Sequence, residues 1–182
     1  IEVEKKFKPS DEQLNAMITD AQFLGEKVLH DVYYDYPDYR MFKKHIRLRK
    51  RNNDFELKIG DDEFEGIALE IDSKDEIQNY FKTDLSLEKF IKSNLVVIIE
   101  YTTKRNKYKK GDFTIDIDEL DFGYKCVEIE LLVEGEGQIV SAQEKITDLA
   151  RKYNFEITTL PSKRGEYFRN FKPDIYKELY IK

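Results

Sequence analysis

Tryptophan is absent from the 182 residues, cysteine occurs once, and histidine occurs twice. The single thiol, Cys126, cannot form an internal disulfide and is typical of a reducing compartment. Neither His30 nor His45 has a cysteine or a second histidine at ligand spacing. We therefore do not expect a zinc site, and any bound metal would be held by oxygen ligands.

Long apolar runs and low-complexity linkers are also missing. No stretch approaches the ~20 apolar residues of a membrane span, and the first residues hold no signal-peptide apolar run. No Gly/Ser/Pro-rich boundary divides the chain, so we expect a single domain over residues 1–182. Together with the lone thiol, the lack of an apolar span makes the cytoplasm the expected location. We also expect a monomer. The net charge of -6 argues against a nucleic-acid-binding face, so neither nucleic acid nor a membrane is an expected partner.

Charged residues make up 37% of the chain, and many of them alternate with apolar residues. The opening IEVEKKF places Glu2, Glu4 and Lys6 on one face of an extended strand, with Val3 and Phe7 on the other. The same alternation returns in HIRLRKR, FELKI, GIALEID, FTIDIDEL and CVEIELLV. These segments predict strands that are apolar on one face and charged on the other.

Helices are predicted between the strands. Capping-box spacing indicates helix starts at Ser10 with Gln13, Ser73 with Glu76, and Ser141 with Glu144. A final helix is expected within residues 165–180, interrupted near Pro173 because proline removes a backbone donor.

The charges also sort by sign along individual strands. Acidic pairs are Glu2/Glu4, Asp116/Asp118 and Glu128/Glu130, and the basic pair is Arg47/Arg49. Like charges at i and i+2 repel each other, so a group of opposite charge should offset them. If the sheet closes with its apolar faces outward under the helices, the charges line the interior, where carboxylates suit Mg²⁺ and the basic side chains suit phosphate. The alternative is that each charged face is solvated.

IEVEKKF resembles the ExExK signature of the CYTH superfamily, the triphosphate tunnel metalloenzymes. The resemblance continues in order through DVYYDYP, HIRLRKR, FELK, TTKR, IDIDELDFGY, VEIE and LPSKRGEYFRNFKPDIY. Among the branches of this family, the chain is most similar to the thiamine-triphosphatase branch. The resemblance implies an α+β fold in which an eight-stranded antiparallel closed β-barrel encloses triphosphate and metal, with amphipathic helices packed outside.

The resemblance also implies roles for individual residues. The implied metal ligands are Glu2, Glu4, Glu70, Asp116, Glu128 and Glu130. The implied phosphate ligands are Lys6, Arg47, Arg49, Lys58, Arg105 and Lys163. Lys58 and Glu4 are the expected catalytic residues, and the general base stays open between a carboxylate, Lys58 and water held by the metal. A bulge could place Lys104 where Arg105 is expected, and Asp118 could either support the ligands or be solvated.

The implied activity is hydrolysis of the terminal phosphate of inorganic tripolyphosphate, thiamine triphosphate or both, with Mg²⁺ as cofactor and Mn²⁺ as the alternative ion. A class IV-type adenylyl cyclase on the same fold and a non-catalytic polyphosphate-binding module are the competing interpretations. Family members selective for thiamine triphosphate stack an indole on the organic group, and this chain has no tryptophan. We therefore expect tripolyphosphate to be used at least as well as thiamine triphosphate.

Overall fold

A computed structural model describes residues 1–60 and 69–181. Its strands are β1 (Glu2–Phe7), β2 (Gln22–Asp35), β3 (Ile46–Arg51), β4 (Asp54–Ile59), β5 (Leu69–Ile71), β6 (Val96–Lys110), β7 (Phe113–Leu120) and β8 (Lys125–Leu132). Its helices are α1 (Asp11–Ile18), α2 (Lys74–Phe81), α3 (Leu87–Asn94), α4 (Ile139–Lys152), α5 (Lys163–Phe171) and α6 (Pro173–Tyr180).

The strands form an eight-stranded sheet in the order β1-β8-β7-β6-β2-β3-β4-β5. The pairs whose register is described are all antiparallel. The predicted α+β class with an eight-stranded antiparallel sheet is therefore confirmed, while closure of the sheet into a barrel stays a prediction. The first residues of the predicted strand GIALEID lie outside the described residues, and its described part is β5.

The chain divides into two compact units. Unit one contains Ile1–Val28 and Thr103–Ser162, and unit two contains Leu29–Thr102 and Lys163–Lys182. The long strands β2 and β6 contribute residues to both units. The expectation of a single domain over residues 1–182 stays a prediction.

The core of unit one lies under the apolar faces of β1, β7 and β8. Val3 and Phe7 from β1 join Ile115 from β7 and Ile129 from β8, and Ile146 of α4 belongs to the same cluster. These residues are the apolar members of the alternating segments, and burial of each such side chain contributes about 1.5–3 kcal/mol. The predicted facing of these strands is confirmed, and it leaves their charged side chains on the opposite face.

The core of unit two is built in the same way from β3 and β4. Leu48 and Leu57 are fully buried, and they pack in one cluster with Ile77 of α2 and with Leu87 and Phe90 of α3. Because side chains alternate along a strand, burying these leucines turns the arginines of β3 and the lysine of β4 to the other face. The predicted facing is confirmed here as well.

Two of the three predicted helix starts are confirmed. Ser10 forms a capping box with Gln13, and the Ser73 hydroxyl accepts a hydrogen bond from the Glu76 amide. The predicted start at Ser141 is wrong, because α4 begins at Ile139 after a one-turn 3-10 helix. Ile139 is buried, and it extends the apolar stripe of the helix by one turn without any side-chain cap.

The last two helices lie on either side of Lys172, so the predicted interruption near Pro173 is confirmed. Helix α3, which is capped by Ser86, was not predicted. In the part of the chain that the structure describes, no helix is long and apolar enough to cross a membrane.

Candidate active site

Five of the predicted metal ligands lie together in unit one. We call them the acid cluster: Glu2, Glu4, Asp116, Glu128 and Glu130. Glu4 lies opposite Glu130 in the pairing of β1 with β8, and Asp116 lies opposite Glu128 in the pairing of β7 with β8. Directly opposite residues on one face of an antiparallel pair have side chains about 5 Å apart. Strand register therefore assembles the cluster from segments distant in sequence.

The cluster contains two sets of three carboxylates with the spacing of metal ligands. One set is Glu2, Glu4 and Glu130, and the other is Asp116, Glu128 and Glu130. In each set, one oxygen from each residue lies within 4.8 Å of the others. Glu130 belongs to both sets, so it lies at the centre of the acid cluster.

The donor chemistry of the acid cluster fits a divalent cation. Asp116 is fully buried, and neither of its carboxylate oxygens accepts an aligned hydrogen bond from the described residues. Burial, together with the negative charges of Asp116 and Glu2, raises the pKa of Glu130 to about 8. These carboxylates therefore repel one another when all of them are ionised. Buried carboxylates that lack full hydrogen bonding are costly, and carboxylate oxygen is the ligand that Mg²⁺ and Mn²⁺ prefer.

Two predicted phosphate ligands, Lys6 and Arg105, border the acid cluster. Lys6 contacts Glu4, and its Nζ lies 3.5 Å from Oε1 of Glu128. Burial alone would lower the pKa of Lys6, but Glu4 and Glu128 raise it well above its ordinary value. The Nη2 of Arg105 lies 2.7 Å from Oε2 of Glu128, and its Nη1 lies 2.5 Å from Oδ2 of Asp116. Both side chains therefore stay charged beside the carboxylates.

The choice between Lys104 and Arg105 follows from the observed register of β6. Arg105 lies opposite Asp118 and points to the acid cluster, whereas Lys104 pairs with Glu26 at 2.9 Å. Sequence reasoning left the role of Asp118 open, and the structure buries it against Arg105.

Lys107 is a member of this surface that sequence reasoning missed. It lies 3.0 Å from Asp116, and it follows Arg105 by two positions on the same strand. Applying the alternation rule to TTKRNKYKK would have placed it on the face of Arg105.

A second group of predicted residues lies in unit two, on β3 and β4. We call Arg47, Arg49, Arg51 and Lys58 the basic cluster, although Arg51 was not predicted. Arg47 lies opposite Lys58, and Nη2 of Arg47 donates a hydrogen bond to the carbonyl of Gly60. The Nε of Arg49 donates to Glu56 at 2.8 Å. These arginines therefore already make charge-assisted hydrogen bonds to protein oxygens.

Glu70, a predicted metal ligand, lies in unit two rather than among the five residues of the acid cluster. Its carboxylate is 2.9 Å from the Nζ of Lys58. Burial would raise the pKa of Glu70, but the charge of Lys58 and its hydrogen bond lower it. The assignment of Glu70 as a metal ligand stays a prediction.

Sequence reasoning missed two partners of the basic cluster on β2. Asp31 lies opposite Arg51 and accepts two hydrogen bonds from it, at 2.7 and 2.8 Å. Tyr33 lies opposite Arg49, and its hydroxyl accepts a hydrogen bond from Nη1 of Arg49 at 3.3 Å. Burial would raise the pKa of Tyr33, but the charge of Arg49 lowers it. The ring of Tyr33 is itself buried.

Lys163 is the first residue of α5 and belongs to unit two. Its charge helps to lower the pKa of Asp31, against burial, which acts to raise it. Lys163 therefore contributes positive charge around Asp31, and its assignment as a phosphate ligand stays a prediction.

Sequence comparisons relate this chain to known proteins. The CYTH domain family model matches residues 1–160. Human thiamine-triphosphatase is 26% identical, over 98% of this chain and 89% of its own length, and thiamine-triphosphatase of Macaca fascicularis matches at the same identity and coverage.

Solved structures share the fold. A Pyrococcus horikoshii protein aligns with a TM-score of 0.64 and 26% identity, covering 86% of this chain and 92% of that chain. A Hippeastrum protein is described as an adenylyl cyclase candidate with a dominant triphosphatase activity. It aligns with a TM-score of 0.60 and 13% identity, covering 93% of this chain and 95% of that chain. The family match over residues 1–160, supported by the shared fold, shows that this chain belongs to the CYTH domain family.

Proposed function

We propose that this chain is a triphosphatase that uses Mg²⁺, or Mn²⁺ in its place, to release the terminal phosphate of inorganic tripolyphosphate, thiamine triphosphate or both. The observation that carries the proposal is the carboxylate set Asp116, Glu128 and Glu130, whose ligand oxygens lie within 4.8 Å of one another. Lys6 and Arg105 border this set, so anionic metal ligands and cationic phosphate ligands share one face of the sheet.

The acid cluster is the proposed holder of the divalent cation. When bound, such a cation neutralises charge on phosphate oxygens and acidifies or orients a water molecule for attack. The ammonium of Lys6 and the guanidinium of Arg105 donate hydrogen bonds to the phosphate oxygens of the substrate. Because both cations are already charged and partly desolvated, they need little reorganisation to bind an anion.

The proposed role of the basic cluster is to bind phosphate through Arg47, Arg49 and Lys58. Each of these side chains already contacts a protein oxygen: Gly60 carbonyl, Glu56 and Glu70, respectively. A phosphate oxygen can replace such an acceptor without leaving the cation unpaired. Charge-assisted contacts of this kind strengthen as the leaving diphosphate gains negative charge, so they favour the transition state over the ground state.

Two residues are candidates for the acceptor of the proton released by the attacking water. Glu4 is a half-buried carboxylate in contact with Lys6, and Lys58 is an amine in contact with Glu70. Removal of the true base would change the pH dependence of kcat, whereas removal of a residue that only binds substrate would mainly raise KM.

The curated relatives favour hydrolysis over cyclisation, although the solved structures that share the fold include two described as adenylate cyclase candidates. Human thiamine-triphosphatase, by its name, acts on a triphosphate, and the Hippeastrum protein is described with a dominant triphosphatase activity. Hydrolysis and adenylyl cyclisation differ in the attacking group, which is water in one case and the ribose 3′-hydroxyl in the other.

A product assay tests the proposal. Tripolyphosphate, thiamine triphosphate, ATP and pyrophosphate are incubated separately with Mg²⁺, Mn²⁺ or EDTA, and both phosphate and cyclic AMP are measured. We expect phosphate release from triphosphates that EDTA abolishes. Cyclic AMP as the main product from ATP would instead identify a cyclase, and tight binding without turnover would identify a polyphosphate-binding module.

A further inference from the structure

Lys107 extends from β6 toward two carboxylates of the acid cluster. Its Nζ lies 3.0 Å from Oδ1 of Asp116 and 3.6 Å from Oε2 of Glu130. Register explains the first contact, because Lys107 lies directly opposite Asp116 in the pairing of β6 with β7. Both carboxylates belong to the metal-ligand set that Glu128 completes. The ammonium therefore approaches two of the three carboxylates that would bind a cation.

The contact with Asp116 is electrostatic and poorly directed. Asp116 is fully buried, and its oxygens accept no aligned hydrogen bond from the described residues, although Lys107 lies within ion-pair distance. The Lys107 ammonium lies at ion-pair distance without meeting hydrogen-bond geometry, so it offsets the charge of the carboxylate without satisfying its lone pairs. Lys107 at Oδ1 and the Nη1 of Arg105 at Oδ2 together neutralise Asp116, while its lone pairs stay available to a better ligand.

The other cations of this surface are held more firmly, Arg105 by an anchor outside the acid cluster and Lys6 by deeper burial. Arg105 donates two hydrogen bonds to Asp118, which is not a member of the acid cluster. Lys6 contacts Glu4 on its own strand and Glu128 on the neighbouring strand β8, and its side chain is only 18% exposed. The ion pairs described for Lys107 join it to Asp116 and Glu130 alone, and its side chain is 28% exposed on a long flexible stem. Lys107 is therefore the cation that can leave with the least disruption.

We propose that Lys107 is a resident counter-ion that competes with the divalent cation for Asp116 and Glu130. This inference rests on the proposed function, because it concerns the metal site of the same acid cluster. Two positive groups cannot share these carboxylates at contact distance without repelling each other, so the cation binds when the ammonium moves away. Lys107 lowers the affinity of the cluster for metal and keeps its carboxylates neutralised when no metal is bound.

Direct metal binding in the absence of substrate tests this role. Mn²⁺ binding to the full chain is followed by electron paramagnetic resonance of the free ion for wild type, Lys107→Met and Lys104→Met. Methionine keeps the length of the side chain and removes its charge. Lys104 lies on the opposite face of the same strand and pairs with Glu26, so Lys104→Met controls for the change in net charge.

We expect Lys107→Met to bind Mn²⁺ at least about tenfold more tightly than wild type, because a full positive charge at contact distance has been removed. Lys104→Met should differ from wild type by less than about twofold, since exposed charges are screened. If Lys107→Met is unstable without metal, the dependence of its unfolding temperature on Mn²⁺ concentration gives the same affinity.

The outcomes distinguish failure of the counter-ion role of Lys107 from failure of the proposed function. Wild type that binds Mn²⁺ and releases phosphate, with unchanged or weaker Mn²⁺ binding in Lys107→Met, would overturn the counter-ion role and leave the proposed function intact. Absence of Mn²⁺ binding in both proteins would overturn both. Tighter binding in Lys107→Met alone supports the counter-ion role, including in the case where wild type binds too weakly to measure.

Discussion

Asp118 holds Arg105 by two parallel hydrogen bonds, from Nε to Oδ1 at 2.7 Å and from Nη2 to Oδ2 at 2.6 Å. This side-on pairing fixes the plane of the guanidinium group and leaves its Nη1 directed at Asp116. Asp118 is fully buried, so the arrangement is protected from exchange with water. The orientation of a proposed phosphate ligand is thus set by a residue that belongs to neither proposed ligand set.

Asp118→Asn should lower kcat/KM for triphosphate hydrolysis by about 10- to 100-fold, the usual effect of removing a group that orients a ligand. An amide can accept one of the two hydrogen bonds but cannot offset the charge of Arg105. Steady-state kinetics should show a fall in kcat that exceeds the rise in KM. Glu119→Gln is the matched control, because Glu119 is an exposed neighbour on the other face of β7. Equal effects of the two substitutions would rule out a positioning role for Asp118.

Arg49→Ala should raise KM and lower kcat, with a loss in kcat/KM on the order of 100-fold, as for the removal of a charge-stabilising donor. Arg47→Ala and Lys58→Ala should behave similarly. Lys50→Ala provides the control, since it removes a positive charge from the face of β3 opposite to Arg47 and Arg49. If only thermal stability changed in the three variants, β3 and β4 would present a solvated face and the phosphate role would be wrong.

Asp31→Asn should make the stability of the protein less dependent on acid pH. Burial raises the pKa of Asp31, but Arg51 and Arg49 lower it below its ordinary value of about 3.9. The charged form is therefore the one that stabilises the fold. Its contribution is fully present above the ordinary pKa, and it is lost as the pH falls through the lower folded pKa.

Urea unfolding of wild type and Asp31→Asn at several pH values measures this effect. At pH 7 the substitution should cost about 3 kcal/mol, because it leaves Arg51 without its buried anion. The difference from wild type should shrink below pH ~4, because Asp31 of the unfolded wild-type chain begins to gain a proton there. A difference that stays constant from pH 7 to pH 3 would contradict the lowered pKa.

Alternation between apolar and charged residues was enough to predict which strand faces are charged, whereas the eight-stranded sheet and the ligand roles were implied by the family resemblance. Leu48 and Ile129 are buried where their parity requires, and this fixes the facing of Arg49 and Glu130. The pattern could not give the strand order or register, because neighbouring strands are chosen by contacts distant in sequence. Lys107 was missed because alternation places it on the face of Arg105 together with Lys109, and only its register opposite Asp116 distinguishes the two lysines.

Capping and pairing partners were harder to predict than strand facing. The start of α4 was misplaced at Ser141 because burial of Ile139 outweighed the capping signal. Asp31 and Tyr33 were not assigned to the site, since a side chain on β2 has no visible relation to β3 until the two strands are paired. The sequence therefore predicts which faces are charged more reliably than which charges meet.

Tripolyphosphate should be hydrolysed at least as efficiently as thiamine triphosphate. A stacked indole is the strongest side chain for a cationic ring, and this chain has no tryptophan. The ionic contacts proposed for the phosphates are available to either substrate. Comparison of kcat/KM at matched Mg²⁺ checks this. A preference for thiamine triphosphate above about tenfold, or about 1.4 kcal/mol of transition-state binding, would require a surface that recognises the rings.

The Mg²⁺ dependence of tripolyphosphate hydrolysis in Glu128→Gln and Glu130→Gln tests most directly whether the acid cluster holds the cation. Glutamine keeps the shape of the side chain and removes the charge that binds metal. We predict that kcat falls by more than about 100-fold at every Mg²⁺ concentration, a larger loss than for residues that only orient ligands, while circular dichroism stays unchanged and Glu119→Gln stays active. Turnover close to wild type at saturating Mg²⁺, in variants with unchanged circular dichroism, would contradict the assignment of the acid cluster as the metal site.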